Sequence, residues 1–101
     1  MAGTLYNFGL QLGTTRTFVG AEEWYRRAAE AGDTAAMRFL GDLLGGEGKT
    51  TEQEEWYRKA ATAGDAAGMR ALGVLLAKRG QKDEADDWYR RAAVALKTAG
   101  Q

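Results

Sequence analysis

The chain has no cysteine and no histidine among its 101 residues. Without cysteine there is no disulfide frame and no thiol nucleophile. Without histidine the commonest transition-metal ligand and the usual neutral-pH proton shuttle are both missing. Charge of one sign is lacking as well: 14 basic residues balance 14 acidic ones. No global electrostatic field therefore draws the chain to nucleic acid or to an anionic membrane. Apolar runs stay well short of the roughly 18 residues of a membrane span, and the first residues lack the basic and apolar regions of a signal peptide. These absences give the expectation of a soluble, cytoplasmic chain with no cofactor and no metal, which binds neither nucleic acid nor membrane.

What the chain has instead is repetition. Trp24-Tyr25, Trp56-Tyr57 and Trp88-Tyr89 recur at one fixed spacing. Residues 22–44 laid over 54–76 differ only where Arg27, Glu30, Thr34, Ala36, Phe39 and Asp42 meet Lys59, Thr62, Ala66, Gly68, Ala71 and Val74, which leaves 17 of 23 positions identical. A fixed period of this size marks stacked supersecondary units, each of which completes its apolar core against its neighbours.

Within a unit, Ala21, Trp24, Tyr25, Ala28 and Ala29 fall at i, i+3, i+4, i+7 and i+8. This is the stripe of an amphipathic helix, here called helix B. Trp56, Tyr57, Ala60 and Ala61 repeat it, as do Ala85, Trp88, Tyr89, Ala92 and Ala93. The Trp-Tyr pairs thus belong to a packing stripe and not to a base- or sugar-stacking platform. Ala31-Gly32-Asp33 and Ala63-Gly64-Asp65 follow helix B. Their glycines suit the left-handed residue that ends a helix, and their aspartates suit the cap of the next. Helix A then turns Met37, Leu40, Gly41, Leu43 and Leu44 inward, matched by Met69, Leu72, Gly73, Leu75 and Leu76, with Leu5, Phe8, Gly9 and Leu12 in the same phase of the first unit. A mid-helix glycine costs about 1 kcal/mol relative to alanine, so its recurrence indicates close approach of a neighbouring helix.

The expected fold is therefore all-α: one domain, 1–101, of three helix-turn-helix units at about 1–32, 33–64 and 65–101. The A-to-B connections are read at 13–20, 45–51 and 77–83. Thr51 and Glu54 have capping-box spacing at the second. The first is rich in β-branched residues and lacks an equivalent cap, so it is expected to be a distinct loop or a departure from the regular hairpin.

The motif W-Y-R-[RK]-A-A-x-A-G-D-x-A-x-M-R-x-L-G-x-L-L, which fills most of each period, resembles Sel-like (Sel-one-like) repeats of the tetratricopeptide superfamily. Met37, Leu40, Gly41 and Leu44 are similar to the large-leucine-glycine-large pattern of a tetratricopeptide helix A, and Tyr57 and Ala60 to the aromatic and small residues of its helix B. The period is shorter than the roughly 34 residues of the tetratricopeptide, and Gly-Asp stands where a proline commonly follows helix B. The resemblance implies an α-solenoid of about six antiparallel helices in which helix A lines the concave face. Carried over by position, a concave peptide-binding row is Tyr6, Leu10, Arg38, Asp42, Arg70 and Val74, suited to a protein or peptide partner with acidic groups. The competing expectation is that Arg38 pairs with Asp42 one turn on and Arg70 is a solvated helix residue.

Catalytic chemistry finds no support in the pattern. The adjacent acids Glu22-Glu23, Glu54-Glu55 and Asp86-Asp87 point apart on a helix, with basic residues four positions away. The Gly48-Lys49-Thr50 stretch lacks the first glycine and the preceding strand of a phosphate-binding loop. The expected function is a non-enzymatic interaction scaffold that uses the concave helix-A surface or the ends of the stack. At those ends Leu5, Phe8, Phe18, Trp88, Tyr89 and Leu96 lack a covering unit, and self-association into a homo-oligomer is expected there. The alternative is an engineered or excised repeat array with a structural, self-assembling role and no selected ligand.

Overall fold

The computed structural model describes the backbone of residues 14–99 and the side chains of 20–98. Five helices and no strands occupy the described residues: α1 Thr14–Glu30, α2 Thr34–Gly46, α3 Thr50–Thr62, α4 Ala66–Lys78 and α5 Lys82–Ala99. The all-α class is as the periodicity predicts. The expected first helix A, with Leu5, Tyr6, Phe8 and Leu10, lies outside the described residues, as does the side chain of Phe18.

One turn joins every pair of successive helices. Gly32, Gly48, Gly64 and Gly80, equally spaced along the chain at half the repeat period, all have φ between 81° and 102°. An L side chain is strained at such a φ, and glycine is not. In each turn the glycine N–H and the N–H after it reach back into the preceding helix, as Gly64 to the Ala61 carbonyl at 3.0 Å and Asp65 to the Ala60 carbonyl at 3.1 Å. These are the paired bonds that satisfy a helix C-terminus and send the chain back along it.

The connections read as 45–51 and 77–83 shrink accordingly to 47–49 and 79–81, because Gly48 and Gly80 form the same turn as Gly32 and Gly64. The capping box is not made. Lys49 occupies the cap without a side-chain bond, Thr50 and Thr51 lie inside α3, and Glu54 is drawn away by arginines. Over 13–20, of the two expected alternatives, the described residues from Thr14 onward show a departure from the regular hairpin and not a distinct loop, since α1 begins there. Arg16 stands where the same interval would place another glycine, and the helix runs through it.

At two of the helix starts the expected aspartate caps are present. Asp33 accepts from the Ala36 N–H at 3.2 Å and Asp65 from the Gly68 N–H at 3.1 Å. Each satisfies an N–H that the first helical turn leaves without a partner.

Each helix packs on the next, and α2 also touches α4. Leu40, Leu44, Leu72 and Leu76 are fully buried at the centre of these contacts. One core cluster joins Ala29, Met37, Leu40 and Leu44 to Ala60; the other joins Tyr57 and Ala61 to Met69, Leu72, Leu76, Ala85 and Trp88. Helix α3 thus joins both sides: Ala60 packs among α2 residues and against Gly68 of α4, while Tyr57 lies against Gly41 of α2 and, with Ala61, belongs to the core shared with α4 and α5.

The recurrent mid-helix glycines are sites of close approach. A Cβ on Gly41 would lie 2.6 Å from the ring of Tyr57, and one on Gly73 would lie 2.7 Å from the ring of Tyr89. The two tyrosines differ in freedom, because Tyr57 is 6% exposed and Tyr89 is 37% exposed. Gly41→Ala is therefore expected to cost about 1–3 kcal/mol as an overpacked core. Gly73→Ala is expected to cost clearly less, because Tyr89 is free to swing outward. Urea unfolding of the two variants measures the difference, and equal losses would contradict this account of the packing.

Candidate functional site

The concave row predicted from sequence does not stand as a set of free side chains. Arg38 turns to the next unit, where its Nε lies 2.7 Å from Oδ2 of Asp65, and no Arg38–Asp42 pair forms. The same Asp65 oxygen caps α4, so one carboxylate ends a turn, starts a helix and receives a charge from α2. Asp42 accepts a hydrogen bond from the Tyr57 hydroxyl, to which Gln53 also donates. Burial first, and the Asp42 bond second, push the Tyr57 hydroxyl up to about 12. Of the described members of the row, Asp42, Arg70 and Val74 are exposed, and of these only Asp42 has a side-chain hydrogen bond; Tyr6 and Leu10 fall outside the described residues.

Ion pairs that run forward from one unit to the next are what the sequence reading missed. Arg58 bonds Glu54 within α3 at 2.8 Å and also reaches Glu84 in the first turn of α5 at 3.0 Å. Arg79, in the turn between α4 and α5, pairs with the same Glu54. These contacts hold the Glu54 carboxyl below the usual range, the Arg58 bond contributing most. The expected i,i+4 pairs form at Glu22–Arg26, Glu23–Arg27, Glu54–Arg58 and Asp87–Arg91. Two cations also cover indoles: Lys59 over Trp56 at 4.4 Å and Arg91 over Trp88 at 4.8 Å.

The sharpest asymmetry lies at the end of the described chain. Tyr57 and Ala61 of α3 are 6% and 1% exposed. Their counterparts one period on, Tyr89 and Ala93 of α5, are both exposed. Tyr89, Ala93 and Leu96 fall at i, i+4 and i+7, on one helical face, and Leu96 is 54% exposed. Trp88 is a correction to the sequence reading: instead of lying bare it is buried, packed into the core with Met69, Leu72 and Leu76. Tyr89 also lies against α4, its ring beside Gly73, but its outer side is open where that of Tyr57 is covered.

Among the described residues no cluster of three or more acidic side chains is arranged to hold a metal ion, and no helix is long and apolar enough to cross a membrane. No protein-family model and no curated protein sequence matches this chain.

A different exchange between units concerns charge. Where the junction of units two and three pairs Glu54 with Arg79, the junction of units one and two sets Glu22 beside Glu47. Glu47 raises the Glu22 carboxyl above its ordinary value, chiefly through a shared hydrogen bond. The bond to Glu22, then Lys49 at 3.3 Å, lowers Glu47. A raised carboxyl favours folding below its unfolded pKa, and that contribution is lost as pH rises through the folded value. Glu47→Arg converts Glu22 to the situation of Glu54, whose contribution is present above the ordinary value of 4.5 and lost as pH falls. The expected outcome is a higher urea midpoint at pH 7, with the gain gone by about pH 3, where carboxylates are protonated. A gain independent of pH would contradict the electrostatic cause.

Proposed function

We propose that the chain is a non-enzymatic protein-interaction scaffold built as a short α-solenoid of Sel-like, tetratricopeptide-type repeats. The contrast between buried Tyr57 and Ala61 and exposed Tyr89 and Ala93 carries this reading. A stack of like units leaves at its end the face that each interior unit covers.

Three further features support the array. The fixed period places corresponding side chains in corresponding contacts. Among the described residues the backbones of α2 and α4 come close, whereas those of α1 and α3, and of α3 and α5, stay farther apart. That pattern suits a stack curved toward its A helices. The molecule measures 44 × 34 × 18 Å, the short dimension being about two helix diameters. Its radius of gyration of 14.7 Å exceeds the roughly 13 Å of a globule of this length.

With Arg38 and Asp42 each bonded to a neighbouring side chain, Arg70 and Val74 on α4 are the exposed described members of the helix-A row without such a partner. The binding surface is accordingly placed at the α4–α5 end, where these residues join Tyr89, Ala93 and Leu96. A structural array that assembles through this same end is the second reading, favoured by the like turns at equal intervals.

Helical peptides selected by display against the full chain test the assignment. Their affinity is expected to fall at least tenfold, about 1.4 kcal/mol, on Ala93→Glu/Leu96→Glu. The urea midpoint should stay nearly unchanged, since both positions are exposed. Peptides that bind variant and parent alike would place the interaction surface elsewhere. Sedimentation of the full chain without peptide separates the two readings: a mass that rises with concentration, and does not in the double variant, favours the self-assembling array.

A further inference from the structure

Two interior arginines reach forward to acids of the next unit, Arg38 to Asp65 and Arg58 to Glu84. Their counterparts one period on are Arg70 and Arg90. Both are exposed, and neither makes an ion pair among the described residues. All 14 acidic side chains of the protein lie between Glu22 and Asp87, within the described residues. The lack of an acidic side-chain partner for Arg70 and Arg90 is therefore complete. The position that would repeat Asp65 is Lys97, itself a cation.

These two arginines belong to the same end as the uncovered stripe of Tyr89, Ala93 and Leu96. An incoming segment has to satisfy both features at once. It needs an apolar helical face for the stripe and an acid for each arginine. The contacts of α4 and α5 with α2 and α3 show the arrangement that does so. Asp65 caps the first helix of the following hairpin and meets Arg38; Glu84, in the first turn of its second helix, meets Arg58.

We infer that the exposed α4–α5 end docks a helical hairpin of a partner protein that presents an aspartate at the start of its first helix to Arg70 and a glutamate in the first turn of its second helix to Arg90. This rests on the reading of that end as a docking surface and adds the chemistry of the occupant. The partner's two acids keep the sequence spacing that separates Asp65 from Glu84 here.

A second copy of this chain, entering with its own first unit, does not meet the requirement. Counting back two periods from Asp65 and Glu84 reaches Met1 and Gly20, and neither is an acid. Head-to-tail stacking in that register would leave Arg70 and Arg90 covered without carboxylates. The end is thereby selective against the self-assembly that its apolar stripe alone would favour, since an unpaired charge at an interface discriminates against the wrong partner.

The absence of cysteine makes the test direct. Ala93→Cys introduces a single thiol on the stripe, and a second copy of residues 63–98 is joined to Gln101 of the full chain through a flexible glycine-serine linker. A short flexible linker gives an effective concentration on the order of millimolar, so docking of even modest affinity is read. Tethered hairpin is expected to slow alkylation of the thiol about tenfold relative to the untethered chain. Arg70→Gln and Arg90→Gln in the chain are each expected to restore the rate about two- to fivefold, the range of partly exposed ion pairs. Asp65→Asn and Glu84→Gln in the tethered copy are expected to do the same, and to add nothing when combined with loss of their arginine. Arg90→Glu with Glu84→Arg in the tethered copy should recover protection that either change alone removes.

Protection indifferent to all four charge variants would overturn the acidic recognition and leave the docking surface standing. Alkylation as fast with the tether as without it would overturn the docking surface itself.

Discussion

The left-handed glycine turn is the constraint from which the rest of this molecule follows. Placed at equal intervals, at Gly32, Gly48, Gly64 and Gly80, it reverses the chain after each helix with the same pair of backbone bonds. The interior helices α2, α3 and α4 are each 13 residues long as a result. Among the described residues, equal helices and equal turns give residues of the same phase like surroundings, so that Leu40 and Leu72, and Leu44 and Leu76, are alike fully buried. Where glycine gives way to Arg16, the turn does not form and α1 grows to 17 residues.

On that regular frame, the few positions at which units differ adjust the contacts between them. Asp42 accepts the hydroxyl of Tyr57, whereas Val74 takes the corresponding position near Tyr89. Arg79 pairs with Glu54, whereas Glu47 confronts Glu22. Asp65 serves both α4 and Arg38; Asp33 caps α2 in the same way, and its counterpart of Arg38 is Tyr6. None of these pairs is worth much alone, since partly exposed ion pairs contribute about 0–1 kcal/mol. Their effect is to give each junction its own complement while the leucine core supplies the cohesion.

The helices and the buried face were legible in the sequence because local periodicity and burial agree. Met37, Leu40, Gly41 and Leu44 lie in the core as their spacing predicts, and Asp33 and Asp65 cap as their place after glycine predicts. The connections are shorter than their dissimilar residues suggest, because Gly48 and Gly80 continue the interval of Gly32 and Gly64. The candidate row departs from what its spacing suggests for a different reason. Arg38 has an acid one turn away at Asp42, and spacing alone cannot show that Asp42 is engaged by Tyr57 while Asp65, far along the chain, is brought within 2.7 Å. Glu54 likewise has a capping-box position, yet Arg58 and Arg79 claim its carboxylate. Local patterns identify a helix well; which partner a long charged side chain takes is decided by neighbours that only the folded stack supplies.

The same physics makes folding and recognition continuous in such a molecule. A unit is held to its predecessor by apolar burial at about 25 cal/mol per Å², and by polar pairs whose contribution is small but whose placement is specific. The docking proposed for the open end draws on the same terms, reduced by the translational and ordering costs of association. The apolar stripe alone would accept many helices, for burial is non-directional. In that proposal Arg70 and Arg90 narrow the choice, because a helix that leaves both without carboxylates gains the burial but not the charge match. The interior shows how that match is made: Arg38 holds the start of one helix and Arg58 the start of the next, so the two charges fix the register of a whole hairpin and not of a single strand of contacts.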